Sequence, residues 1–135
     1  MTEANRYKGF LSFDALASML PVLVILLILA DAASYLSSEA RRSAERQALF
    51  DRLLSAADYT VRSGAVMRSG PVRYPNWIDE PLLDAAYVGA LRASEGLSRL
   101  YVGLDPPGEK FGMCVYRLVV AGQSKTIRRL FVCGD

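Results

Sequence analysis

The sequence predicts an α+β protein: a long N-terminal helix, half membrane-embedded and half amphipathic, carrying a small head of one helix and about three antiparallel strands that end in a β-hairpin. Three observations predict it. Residues 10 to 30 form a mostly apolar run whose only charge is Asp14. Residues 32 to 62 hold neither proline nor glycine and repeat apolar side chains at four-residue spacing. The last residues read as two β-rich runs around a polar turn. The expected organisation is a leader over 1–9, the helix over 10–64 and the head over 65–135.

Composition narrows the function classes. Of 135 residues 52% are hydrophobic and 22% charged, so the apolar character is concentrated, and it is concentrated in residues 10 to 30. A net charge of +2 with no basic or acidic tail gives no reason to expect nucleic acid. The chain has no histidine, which removes the commonest metal ligand and the side chain that most readily moves protons near neutral pH. No phosphate loop, metal-ligand spacing or nucleophile and base pair is found. Catalysis therefore has no candidate residues, and no cofactor is expected.

At about 1.5 Å per residue, positions 10 to 30 span roughly 30 Å, the hydrocarbon thickness of a bilayer. A head this small could not cover such a helix on all sides, so the run reads as a membrane segment rather than a core helix. Pro21 lies within it and predicts a kink, because proline removes a helical hydrogen bond. Arg6 and Lys8 before the run favour an N-terminus held in the cytoplasm, although Arg41 and Arg42 follow it, so the charge bias is weak. Beyond Ala32 the helix continues. Leu49, Leu53, Ala57 and Val61, with Phe50 and Leu54 alongside, form one apolar stripe. Arg41 with Glu45 and Asp58 with Arg62 are expected neighbours on the wet face, and Gly64 is the expected stop.

Three fates compete for the apolar segment. A secretory signal would be cut after Ala32 in "LADAAS", releasing a soluble domain. An uncleaved segment would anchor a monomeric extracellular binding or accessory protein. The third fate gives Asp14 a task. "KGFLSFD" resembles the class III signal peptide of type IV pilin-like proteins, a short polar leader ending in glycine and followed by a segment with an acid at its fifth position. The placement of Ser12 and Asp14 is closer to the archaeal version, which has glutamine first, serine third and glutamate fifth. Phe10 departs from that glutamine, and Asp14 is shorter than glutamate.

The resemblance implies cleavage between Gly9 and Phe10, next to Lys8, by a prepilin peptidase. It also implies handling by a pilus assembly platform, and assembly into a homo-oligomeric surface filament through Phe10, Ser12, Asp14 and the apolar helix. A charge inside a bilayer costs about 3 kcal/mol on insertion scales, and the new ammonium of Phe10, one helical turn from Asp14, would offset it. The implied location is the cytoplasmic membrane before assembly and the cell surface afterwards, with adhesion as the expected task.

Residues 65 to 81, with Gly70, Pro71, Pro75 and Pro81, read as a loop. A second helix is expected next, with Asp79 as N-cap and Gly96 near its end, burying Leu82, Ala85, Ala86, Val88 and Leu91. "LSRLYVGL" alternates like a strand. "DPPGEKFG" reads as a solvated connection, so Asp105 and Glu109 are not expected to form a site. In "MCVYRLVVAGQSKTIRRLFVC", a turn at Gln123 and Ser124 would set Val120 opposite Ile127, Leu118 opposite Arg129, Tyr116 opposite Phe131 and Cys114 opposite Cys133. That register predicts a disulfide and an oxidising compartment, with two buried thiols as the alternative. "CVYRLVV" and "FVCGD" also resemble the C-terminal hairpin of archaeal class III signal-peptide proteins. Such proteins often carry glycans, but neither Asn5 nor Asn76 begins an N-x-S/T acceptor. Arg128 and Arg129 alternate faces and make no basic patch. Tyr74, Trp77 and Tyr101 are expected to pack locally.

Overall fold

The computed structural model describes residues 7–122 and 125–135, and side chains from residue 17 onward. Contacts divide the chain into two units, Met1–Ala44 and Glu45–Asp135. Helix α1 runs over Tyr7–Tyr59 and stays helical through Pro21. In the first unit every side chain from Ala17 to Ala44 is exposed.

The second unit begins with the amphipathic part of α1. Leu53, Ala56, Ala57 and Val61 are buried and Leu49 half-buried, as the four-residue spacing predicts, while Phe50 stays 38% exposed. The α-helix gives way to a π-helical turn over Thr60–Gly64, closed by a bond from Ala65 N to Thr60 O. Buried Thr60 explains how that turn is tolerated: its hydroxyl donates to Ala56 O at 2.8 Å and meets the Tyr87 hydroxyl at 2.8 Å, so no polar atom is orphaned. Gly64 is a stop for a reason other than a left-handed cap. A Cβ there would run into the Tyr87 ring.

Residues 65 to 81 are not a loop. They hold β1 (Val66–Ser69) and β2 (Val72–Ile78), an antiparallel hairpin turning at Gly70, whose φ of 57° suits glycine. The prolines are accommodated by an irregularity: the β1/β2 register shifts between Val66 and Arg68, and Asn76 takes a positive φ of 62° beside Pro75. The expected second helix is also split. A 3-10 turn over Glu80–Leu82 follows Asp79, whose side chain caps nothing. Helix α2 (Ala85–Glu95) then starts at Asp84, whose carboxylate accepts from Tyr87 N at 2.7 Å, and ends at Gly96 with φ 65°. The later start leaves Leu82 in the 3-10 turn. Leu91 is buried and Leu83, Tyr87 and Val88 pack beside it, while Leu82, Ala85 and Ala86 are exposed.

Strands β3 (Leu100–Gly103), β4 (Met113–Ala121) and β5 (Thr126–Gly134) complete a five-stranded sheet in the order β1-β2-β4-β5-β3. It exceeds the three strands expected, and β2 pairs with β4 in parallel. The β4/β5 register is the one the hairpin arithmetic predicts: Val120 faces Ile127, Leu118 faces Arg129, Tyr116 faces Phe131 and Cys114 faces Cys133. The turn positions Gln123 and Ser124 lie outside the described residues. Burial alternates along β4, and along β5 as far as Val132, and the inward residues Val119, Leu130 and Val132 join Ile78, Val102, Leu91 and Leu53 in one core. Gly134 sits inside that packing, since a Cβ there would lie 2.9 Å from Arg99 O and 3.0 Å from Leu53 Cδ2.

Candidate functional site

Among the described residues, the largest uncovered apolar surface lies on α1 from Met19 onward. From Met19 to Leu29 each large hydrophobic side chain is between 52% and 68% exposed, and Tyr35 and Leu36 continue the uncovered surface at 69% and 67%. This helix is long and apolar enough to cross a membrane, and its most apolar window is 0% buried. The physics is direct: eleven consecutive positions of mostly aliphatic surface are costly in water, whereas lipid or neighbouring apolar helices remove the cost. Polar groups return where the apolar run ends. Ser34 donates to Ala30 O at 2.9 Å and Ser38 to Tyr35 O at 2.8 Å, so both hydroxyls are satisfied along their own helix.

The backbone of Lys8, Gly9, Phe10, Ser12 and Asp14 belongs to α1. Their side chains, and the rest of the leader, lie outside the described residues. The apolar segment is an uncovered helix from Met19 onward, and the leader motif rests on the sequence.

Within the second unit, several side-chain contacts tie the C-terminal part of α1 to the sheet and to α2. Arg117 on β4 grips Asp58 on α1 with Nε at 2.9 Å and Nη2 at 2.6 Å from the same carboxylate oxygen, replacing the expected pairing of Asp58 with Arg62. Arg52 donates to Gly96 O at 3.2 Å and Ser55 to Glu95 at 3.1 Å, tying α1 to α2. An open groove between these helices is lined by Ser55, Tyr59, Tyr87, Leu91, Ser94 and Glu95. Burial raises the Tyr87 phenol above its usual value, with the Thr60 hydrogen bond opposing it, so Tyr87 stays a neutral hydroxyl engaged in packing.

At the other end of the sheet Asp135 forms a clasp. Its carboxylate accepts from Gly112 N at 2.6 Å and from Arg99 Nε at 2.6 Å, and its backbone oxygen accepts from Ser98. The Gly112 amide and then Arg99 hold this carboxyl below the ordinary aspartate range. The loop acids are engaged too: Asp105 meets Arg128 at 2.8 Å and Glu109 meets Arg99 at 3.9 Å. Arg128 is thus a half-buried tether, while Arg129 lies over the Tyr116 ring at 5.5 Å. Trp77 donates to Gly122 O at 3.1 Å, and Tyr101 to Asp105 O at 2.9 Å, so both pack locally as expected. Burial raises the Tyr101 phenol above its usual value, and Asp105 adds to the shift.

Cys114 and Cys133 are joined in a disulfide that closes a sequence separation of 19 residues, with Cα atoms 4.0 Å apart. Sequence reasoning missed the Arg117 and Asp58 clamp and the Asp135 clasp. Both join residues far apart in sequence, and no local spacing announces them. No family model matches this chain, and neither curated proteins nor solved structures show a match.

Proposed function

We propose that this chain is a pilin-like structural subunit, inserted in the membrane through α1, cleaved after Gly9 and assembled with copies of itself into a surface filament that serves adhesion. The observation that carries the proposal is the division of α1. One part is locked into the head by Leu53, Ala57, Val61 and the Asp58 pairing, while the part from Met19 to Leu36 has no cover of its own. Such a helix suits successive partners, lipid first and neighbouring apolar helices afterwards. The leader "KGFLSFD" adds the acid. Asp14, one turn beyond the new amino group of Phe10, would pair with that ammonium or with a neighbour's and so fix the stagger between helices.

Substituting Asp14→Ala tests this. The expected result is normal membrane insertion and leader cleavage with filament assembly lost, read by electron microscopy of sheared surface material. Filaments at the wild-type level would remove Asp14 from assembly and leave an anchored monomeric head as the better reading.

A further inference from the structure

Strand β4 is interior in the sheet order, yet most of one side of it has no neighbour. All nine of its residues pair with β5, whereas β2 partners only Val120 and Ala121. Asn76, with its φ of 62°, immediately precedes Trp77, the first β2 residue paired with β4. The run from Met113 to Val119 is therefore an open edge among the described residues. Its hydrogen-bonding parity follows from the cysteine pair. A Cα separation of 4.0 Å fits the narrow, non-hydrogen-bonded spacing of about 4.5 Å rather than the wide one of about 5.5 Å. Cys114, Tyr116 and Leu118 accordingly turn their N–H and C=O groups away from β5, toward the open edge.

The other two edges are protected in ways this one is not. β1 has four residues, a register irregularity and Arg68; β3 has four residues and leads within a few positions to Pro106 and Pro107. The open run of β4 has no proline, no glycine and one charge, Arg117, which Asp58 already neutralises at 2.6 Å. Its outward side chains are largely exposed, Tyr116 at 60% and Leu118 at 64% with Ile127 beside them at 76%, and the Arg129 guanidinium on β5 lies over the Tyr116 ring at 5.5 Å.

We propose that this edge pairs antiparallel with the same edge of a second copy of the chain, about a twofold axis at Tyr116. The run is self-complementary there. Tyr116 meets its own counterpart, Cys114 meets Leu118, and the three residues with unmet main-chain groups face each other in bonding register. Charge selects this centre, because an axis at Arg117 would set two guanidinium groups face to face, whereas an axis at Tyr116 sets each opposite Val115. The pairing concerns the head alone and holds whether or not α1 enters a filament.

The test uses the full chain in detergent micelles with the native disulfide intact. Tyr116→Cys and, separately, Ile127→Cys are treated with a short bis-maleimide. Cross-linked dimer at least several-fold more abundant at position 116, and reduced several-fold when Leu118→Lys is added, is the expected result. Equal cross-linking at the two positions, or no effect of Leu118→Lys, would assign any dimer to the membrane helix and overturn the proposal. Hydrogen exchange on the unsubstituted chain is the second reading. The Tyr116 and Leu118 amides should gain protection as concentration rises, and fast exchange at every concentration would also overturn it.

Discussion

Asp135 shows how much one carboxylate organises. It joins the Gly112 amide, Arg99 and, through its backbone, Ser98, so the loop before β4 and the end of β5 are held by one residue. Its carboxyl is depressed, so the stabilisation it provides is present above the ordinary aspartate value of about 3.9 and is lost as pH falls through the lower folded value. We predict that the Gly112 amide resonance titrates with a midpoint below that ordinary value and that Asp135→Asn abolishes the titration; a midpoint at or above it would contradict the assigned hydrogen bond. At this scale the sequence was legible where a residue acts on its near neighbours. Gly96 ends a helix as expected, and the facing cysteines follow from counting out from a turn. It was illegible where a residue acts across the fold, as in the Asp58 and Arg117 clamp, which displaced the local pairing of Asp58 with Arg62.

The elements with strong periodicity were read well. The apolar stripe of α1 and the alternation of β4 and β5 identify their buried faces without any tertiary information. The elements punctuated by proline were not. Val66–Ser69 and Val72–Ile78 form strands because the prolines fall at a turn and beside an irregularity, where the missing N–H is not needed for the ladder. Helix α2 begins at Asp84 instead of Asp79 because the chain first makes a 3-10 turn around Pro81. Asp84→Ala should therefore cost about 1 kcal/mol of head stability in urea unfolding, while Asp79→Ala should be close to neutral. The reverse order would restore the earlier helix start.

For the whole molecule, two requirements pull in different directions. A disulfide in the head favours an oxidising compartment, and the uncovered helix favours lipid or other helices. The proposed exported subunit, held by its N-terminal helix, would meet both. Closing about 20 residues, the disulfide is worth roughly 3 kcal/mol in the chain-entropy model, so Cys114→Ser with Cys133→Ala should lower the unfolding free energy of the head by about that amount in urea unfolding. An unchanged free energy would mean that the β4/β5 pairing alone carries the hairpin. The α+β class and the membrane-length helix were legible because they rest on composition and period. The fate of the helix was not, since an anchor, a secretory signal and a filament spine share the same apolar length. The measurement that separates them most directly is the intact mass and N-terminal sequence of the protein purified from its own host. The account predicts a chain beginning at Phe10; a chain beginning at Ala33, or one still carrying Met1 or Thr2, would contradict it.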